Sequence, residues 1–265
     1  MSRLPSAVSV RESGTGTPLL LLHAFPLNAS MWSSQLDALP GLTGDEARVL
    51  APYQRGFGGT ALGDDEPSLD RVADDLALLL DAAGIGRAVV GGLSMGGYVA
   101  LAFARRHPDR LSGLLLANTR ATADTDAARA NRERIAAAVT ARDSVRLLLD
   151  EHVAAGQLGP DSQHLVERVE AMVAAAPPAA VAWAQRAMAA RPDSLDVLAG
   201  LRVPVAVVAG AQDALVAPEE AATMLRARPD AELTVLPGVG HLSALEAPEA
   251  FDAVVRTLLA RAAAG

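Results

Sequence analysis

The stretch Val89-Val90-Gly91-Gly92-Leu93-Ser94-Met95-Gly96-Gly97-Tyr98-Val99-Ala100 constrains this chain more than any other. An apolar run ends in glycines clustered around one serine and then continues with a helix-like pattern. A Gly-x-Ser-x-Gly pentapeptide between a strand and a helix is the sequence form of a nucleophile elbow, a sharp turn that pushes the serine side chain outward. Gly92 and Gly96 would then stand where strand and helix approach too closely for a Cβ. Alone, the pentapeptide is a weak signal, because a glycine-rich turn with a solvated serine reads the same way. Its context along the chain decides.

At 265 residues and 51% hydrophobic content, the chain can bury a substantial interior. No apolar run approaches the ~18 residues of a membrane span. Residues 1–10 contain no apolar segment of the secretory type, so a cytoplasmic protein is expected. With 23 basic against 31 acidic residues the net charge is −8, which disfavours a nucleic-acid partner. There is no Cys, which removes disulfides, thiolate catalysis and thiolate metal sites. All the basic residues are Arg, so Schiff-base chemistry and phosphate-loop lysines are excluded.

Alternation over residues 7–12, the turn Ser13-Gly14-Thr15-Gly16 and the run Leu19-Leu20-Leu21-Leu22 read as a hairpin entering a buried strand that exits into His23-Ala24-Phe25-Pro26. A helix is expected over 28–39 and a strand over 48–51, leading into Tyr53-Gln54-Arg55-Gly56-Phe57-Gly58. Ser68 is a candidate N-cap for a helix reaching Gly84. The strand 88–91, the serine turn, a helix over 97–106 and a strand over 114–117 follow, an alternation that implies parallel pairing with helices on both faces. From 120 to 198 there is no convincing strand, and alanine-rich segments near 124–139, 143–154, 162–175 and 178–190 read as helices. The strand pattern resumes at 203–209 and again at 232–236, with helices over 218–228 and 248–261. The expected architecture is therefore an α/β core built from 1–119 and 199–265, with 120–198 inserted as a helical cap.

A serine hydroxyl needs a base, and the base needs an orienting group. His107 ends the helix after the elbow and suits its dipole, His152 and His164 lie on predicted cap helices, and His23 shapes its own loop. His241 follows the last strand in a Gly-Val-Gly-His loop, at the same carboxyl edge of the sheet as Ser94. Asp213 follows the preceding strand and reaches that edge too; the strand after the elbow ends instead in Asn118-Thr119, which carries no charge to stabilise an imidazolium. Ser94, Asp213 and His241 thus stand in the chain order of the α/β-hydrolases.

Over essentially its full length the chain resembles the α/β-hydrolase superfamily, and among its members the small capped enzymes that include 3-oxoadipate enol-lactonase and the serine esterase/perhydrolase group. The resemblance rests on His23-Ala24-Phe25-Pro26, Arg55-Gly56-Phe57-Gly58, Gly92-Leu93-Ser94-Met95-Gly96-Gly97, Gln212-Asp213, and Gly240-His241 followed by Glu246-Ala247-Pro248. Ala24 stands where the family commonly has glycine. The resemblance implies an oxyanion hole formed by the backbone N–H groups of Met95 and Phe25, with both side chains free to line the pocket. It also implies a cofactor-free, metal-free acyl-enzyme mechanism on a small ester or lactone.

Dehalogenases and epoxide hydrolases of this fold carry aspartate at the elbow, and the only tyrosines here, Tyr53 and Tyr98, lie outside the predicted cap. A ligand-binding receptor, or a lyase, perhydrolase or acyl-transfer role, would keep the same residues and remains open. Trp183 and Arg186 stand three apart on one predicted cap helix: either an aromatic wall with a carboxylate clamp, or a half-buried Trp beside a solvated Arg. Trp32, Met95, Met172 and Met188 are candidates for an apolar pocket, with core packing the plainer expectation.

Overall fold

The computed structural model describes residues 8–264; Ala7, at the start of the first predicted strand, lies outside the described residues. Strands β1 (Val10–Ser13), β2 (Thr17–Leu22), β3 (Ala47–Pro52), β4 (Ala88–Leu93), β5 (Leu111–Ala117), β6 (Val205–Gly210) and β7 (Glu232–Leu236) form one sheet. Their spatial order is β1-β3-β2-β4-β5-β6-β7, with β1 antiparallel to β3 and every other pair parallel. The expected hairpin is corrected: β3 lies between β1 and β2. The turn that follows β1 packs against the chain entering β3, where a Cβ on Gly14 would meet the Ala47 carbonyl oxygen at 2.1 Å and Thr15 N–H donates to Gly44 O at 2.8 Å. It therefore carries the chain past β3 instead of folding β2 back onto β1.

Between the strands lie α1 (Ser33–Ala38), preceded by a 3-10 turn at Ala29–Trp32, then α2 (Leu69–Ala82) and α3 (Met95–Arg106). Ser68 caps α2 as expected, its side chain accepting from Asp70 N–H. The segment between β5 and β6 contains α4 (Asp126–Arg142), α5 (Arg146–Asp150), α6 (Val153–Gly156), a 3-10 turn at Pro160–Leu165, α7 (Val166–Ala174), α8 (Pro178–Ala189) and α9 (Leu195–Gly200), with no strand among the described residues. The second expected helix is split into α5 and α6, because His152 between them adopts a left-handed φ of 51°. Helix α9 was not expected and straddles the 198/199 boundary, packing on α3 and on α10 (Pro218–Ala227). The chain ends with α11 (Ser243–Glu246) and α12 (Pro248–Ala263).

Right-handed crossovers decide which face each helix takes. The step from β2 back to β3 puts α1 on one face, where it meets α12; the steps onward from β3 and β4 put α2 and α3 together on the other. Because helices cover both faces, the central strands are apolar throughout: Leu19 to Leu22 are all fully buried, as are Leu114 to Leu116. The carboxyl ends of β2 to β7 all open at one edge, and α3 is buried along nearly its whole length beneath it.

His23, at the exit of β2, ties two of these loops together. Its Nε2 accepts from Gln54 N–H at 3.1 Å, so the ring proton is on Nδ1, which donates to Ala24 O at 3.0 Å. Gln54 Nε2 returns a bond to His23 O at 2.8 Å, and Phe57 meets the ring edge-on at 5.2 Å between centroids. Arg55 fixes the second loop to α2 through two 2.9 Å bonds to Asp75. Ala24 is accommodated without strain, since it is not among the residues with positive φ.

Two outcomes follow from these contacts. Gly96→Ala would place a methyl 2.0 Å from Leu22 O, whereas a Cβ on Gly86 meets nothing within 4 Å. The first substitution should lower stability by about 3 kcal/mol or abolish folding, and the second should stay within about 1 kcal/mol; matching thermal melts for the two would contradict the close approach. Burial pushes His23 down to about 4, against the opposing Ala24 hydrogen bond. Between about 6.5 and that value the unfolded chain holds a proton the folded chain refuses, so stability falls with pH by ~3 kcal/mol across the window. Denaturant titrations at pH 7 and pH 4.5 should show that fall to be smaller in His23→Gln, which keeps an acceptor for Gln54; parallel losses would contradict it.

Candidate active site

Ser94 sits between β4 and α3 with φ 57° and ψ −114°, a conformation that costs a non-glycine residue on the order of 1–3 kcal/mol. Its surroundings impose it. Ser94 N–H donates to Ala117 O at 2.9 Å, while Ser94 O accepts from Gly97 N–H at 2.9 Å and from the Thr119 hydroxyl at 2.8 Å. A Cβ on Gly92 would lie 2.0 Å from the Gly96 carbonyl, and one on Gly97 would strike Thr119 at 2.5 Å. No relaxed turn fits, so the side chain is directed away from the sheet.

His241 and Asp213 arrive from β7 and β6. His241 Nδ1 lies 2.9 Å from Asp213 Oδ2, both side chains only 3% exposed. Since an ionised carboxylate can only accept, Nδ1 carries a proton and the ring is held with Nε2 pointing away from Asp213. Asp213 is held by more than His241: Oδ1 accepts from Leu215 N–H at 2.8 Å and Val216 N–H at 3.0 Å, and Oδ2 accepts from Asn118 Nδ2 at 2.9 Å. Burial alone would raise this carboxyl; His241, the Asn118 amide and Leu215 N–H outweigh it and hold Asp213 below the usual carboxylate range.

Two further residues carry the geometry. Asn118, in a left-handed conformation at the end of β5, also donates to Gly240 O at 3.1 Å, linking the Asp213 and His241 loops. Glu246 gathers three backbone donors: Gly159 N–H at 2.8 Å and Gly240 N–H at 2.9 Å on Oε2, and Leu242 N–H at 2.9 Å on Oε1. With His241 N–H donating to Gln157 O at 2.8 Å, the histidine loop is fastened directly to the helical segment between β5 and β6. Asn118 stood out in the sequence only as a failed acid. The His241-to-Glu246 spacing gave no hint that Glu246 reaches across to Gly159.

Ser94, His241 and Phe25 line one cavity of about 380 Å³, roofed by side chains of α4, α5 and α8 such as Ile135, Leu148 and Met188. Among the described residues no hydrogen bond joins the Ser94 hydroxyl to His241, although both face this space. Such bonds often tighten only when substrate is bound. Met95 N–H opens the first turn of α3, and neither it nor Phe25 N–H has a backbone partner among the described residues. The Met95 side chain takes the plainer of its two expected places: it is buried in the core and does not line the cavity.

The other candidates disperse. His107 pairs with Asp74 at 2.9 Å, and His152 and His164 are exposed. Trp183 is buried with Nε1 donating to Asp65 O at 2.9 Å, and Arg186 turns outward onto Glu133 at 2.8 Å, so they form no carboxylate clamp. Trp32 packs on Phe251 in the core and Met172 is buried away from the cavity; Met188 alone of the three lines it. No described helix is long and apolar enough to cross a membrane.

Known proteins place this geometry in a lineage. An esterase from Thermogutta terrifontis, solved with malate bound, superposes with a TM-score of 0.89 at 36% identity, covering 99% of each chain. A Caulobacter protein provisionally named carbamate hydrolase RutD is 31% identical, covering 89% of this chain and 88% of its own length. The 3-oxoadipate enol-lactonase 2 of Acinetobacter baylyi is 27% identical over 92% of this chain and 88% of its own. The α/β-hydrolase fold family model matches residues 17–248. With its sheet, its strand-end loops and this match in agreement, the chain belongs to the α/β-hydrolase fold family.

Proposed function

We propose that this hydrolase cleaves a carboxylic ester or lactone through an acyl-enzyme on Ser94, with His241 as base and Asp213 as its orienting group. The observation that carries the proposal is the 2.9 Å pair of His241 and Asp213 beside a serine held at φ 57° in the same cavity. Ser94 Oγ attacks the carbonyl carbon while its proton passes to His241 Nε2. The imidazolium keeps its Nδ1 proton on Asp213, whose lowered pKa keeps it ionised at neutral pH. The oxyanion is received by the N–H groups of Met95 and Phe25, each worth about 3 to 4 kcal/mol of transition-state stabilisation. His241 returns its proton to the leaving oxygen; it then takes one from the water that attacks the acyl carbonyl and hands it to Ser94 Oγ as the acid departs and the serine is restored. Residues 120–198 act as the lid that shapes the cavity, and no cofactor enters the scheme.

The names of the relatives, spanning carbamate, enol-lactone and ester hydrolysis, share a carbonyl flanked by a heteroatom leaving group and support acyl transfer as the common step. A fluorophosphonate probe should label the wild type and spare Ser94→Ala, which should also lose p-nitrophenyl acetate turnover by ~10⁴-fold or more. Comparing that ester with 3-oxoadipate enol-lactone would separate a general esterase from a lactonase. An unlabelled wild type, or a Ser94→Ala enzyme that still turns over, would sink the proposal.

A further inference from the structure

The chain carries a net charge of −8, yet the Ser94 cavity is lined by three arginines, Arg120, Arg132 and Arg134, against a single carboxylate, Glu151. Two of the three hold closer ion pairs than the third. Arg134 pairs with Glu151 at 3.2 Å at the exposed rim. Arg132 pairs with Asp124, a fully buried carboxylate shared with Arg191 at 2.8 Å, and also donates to Gln185 Oε1 at 3.1 Å.

Arg120 differs from both. It stands two residues beyond Asn118, close to the catalytic edge, with a side chain only 27% exposed. Its ion-pair partner is Glu220, whose Oε1 lies 3.8 Å away while its Oε2 accepts from the Thr122 hydroxyl at 3.0 Å. Its one hydrogen bond is a long one, 3.4 Å from Nε to Tyr98 Oη. Tyr98 lines the same cavity, is 5% exposed, and its own hydroxyl proton has no acceptor among the described residues. A half-buried guanidinium whose one carboxylate contact is as long as 3.8 Å, beside a tyrosine O–H without an acceptor among the described residues, leaves two donors with capacity for a further acceptor.

We infer that the substrate carries a free carboxylate, received by Arg120 and the Tyr98 hydroxyl while its ester or lactone carbonyl lies against Ser94. The inference rests on Ser94 being the nucleophile and narrows the substrate class to anionic esters or lactones. A carboxylate matches the planar fork of a guanidinium, which can hold both its oxygens at once. The placement also gives Arg120 a role apart from the chemistry, in binding the part of the substrate that does not react.

The test compares mono-(4-nitrophenyl) glutarate with the neutral 4-nitrophenyl valerate at pH 7, in the wild type, Arg120→Gln and Arg120→Lys, alongside calorimetric binding of free glutarate. The wild type should favour the anionic ester by at least ~10-fold in kcat/KM, mainly through KM. Arg120→Gln should lower the anionic-to-neutral ratio by ~10-fold or more and abolish glutarate binding, and Arg120→Lys should recover part of both. A wild type that treats the two esters alike and binds no glutarate overturns the inference while leaving Ser94 a nucleophile; so does a ratio unchanged in Arg120→Gln. If neither ester is turned over, the hydrolase proposal fails, and Arg120-dependent glutarate binding still decides for or against the carboxylate site.

Discussion

At Gly92 the backbone of β4 comes so near α3, and at Gly96 that of α3 so near Leu22 at the end of β2, that a Cβ on either would overlap main-chain atoms at 2.0 Å. That approach leaves Ser94 no relaxed conformation, and the cost of its left-handed backbone is met by the bonds from Ala117, Gly97 and Thr119 that surround it. It also brings the N–H at the start of α3 next to the serine, so in the proposed reaction one packing constraint would supply both an outward hydroxyl and a donor for developing negative charge. The parallel sheet then brings the remaining groups to the same edge, because each of their loops follows a strand end.

The second constraint is electrostatic. Asp213 is buried and would be expensive as an anion, but it collects two backbone N–H groups, an amide and the imidazole, each oriented before any substrate arrives. Glu246 does for the histidine loop what these donors do for Asp213, and through Gly159 it fastens the helical segment to the loop bearing His241. The position of that segment is therefore tied to that of His241, while its far side contributes the arginine-bearing wall of the cavity.

Much of the core was legible in the sequence because its signals are local. Apolar runs closed by glycine mark strand ends, and the spacing of Ser94, Asp213 and His241 follows from which strand each one ends. The hairpin expected at the start was misread because pairing between β1 and β3 spans a long loop, and nothing near Gly14 reveals that β3 will lie between β1 and β2. What Asn118 and Glu246 do was hidden for a related reason: Asn118 binds Asp213 and Gly240, and Glu246 reaches Gly159, partners far away in the chain, and an amide or a glutamate looks alike on any surface. Trp183 and Arg186 share a helix, but their neighbours Asp65 and Glu133, supplied by other segments, draw them away from the cavity.

The central claim is covalent, so the most direct measurement is of the covalent species. Acid quenching during the first turnovers of a p-nitrophenyl ester, followed by tryptic digestion and mass spectrometry, should find the acyl mass on the peptide spanning residues 88–105, localised to Ser94. Release of p-nitrophenolate should begin with a burst approaching one equivalent per chain. An acyl group carried by another residue, or turnover with Ser94 unmodified at every quench time and no burst under conditions that slow deacylation, would contradict the account.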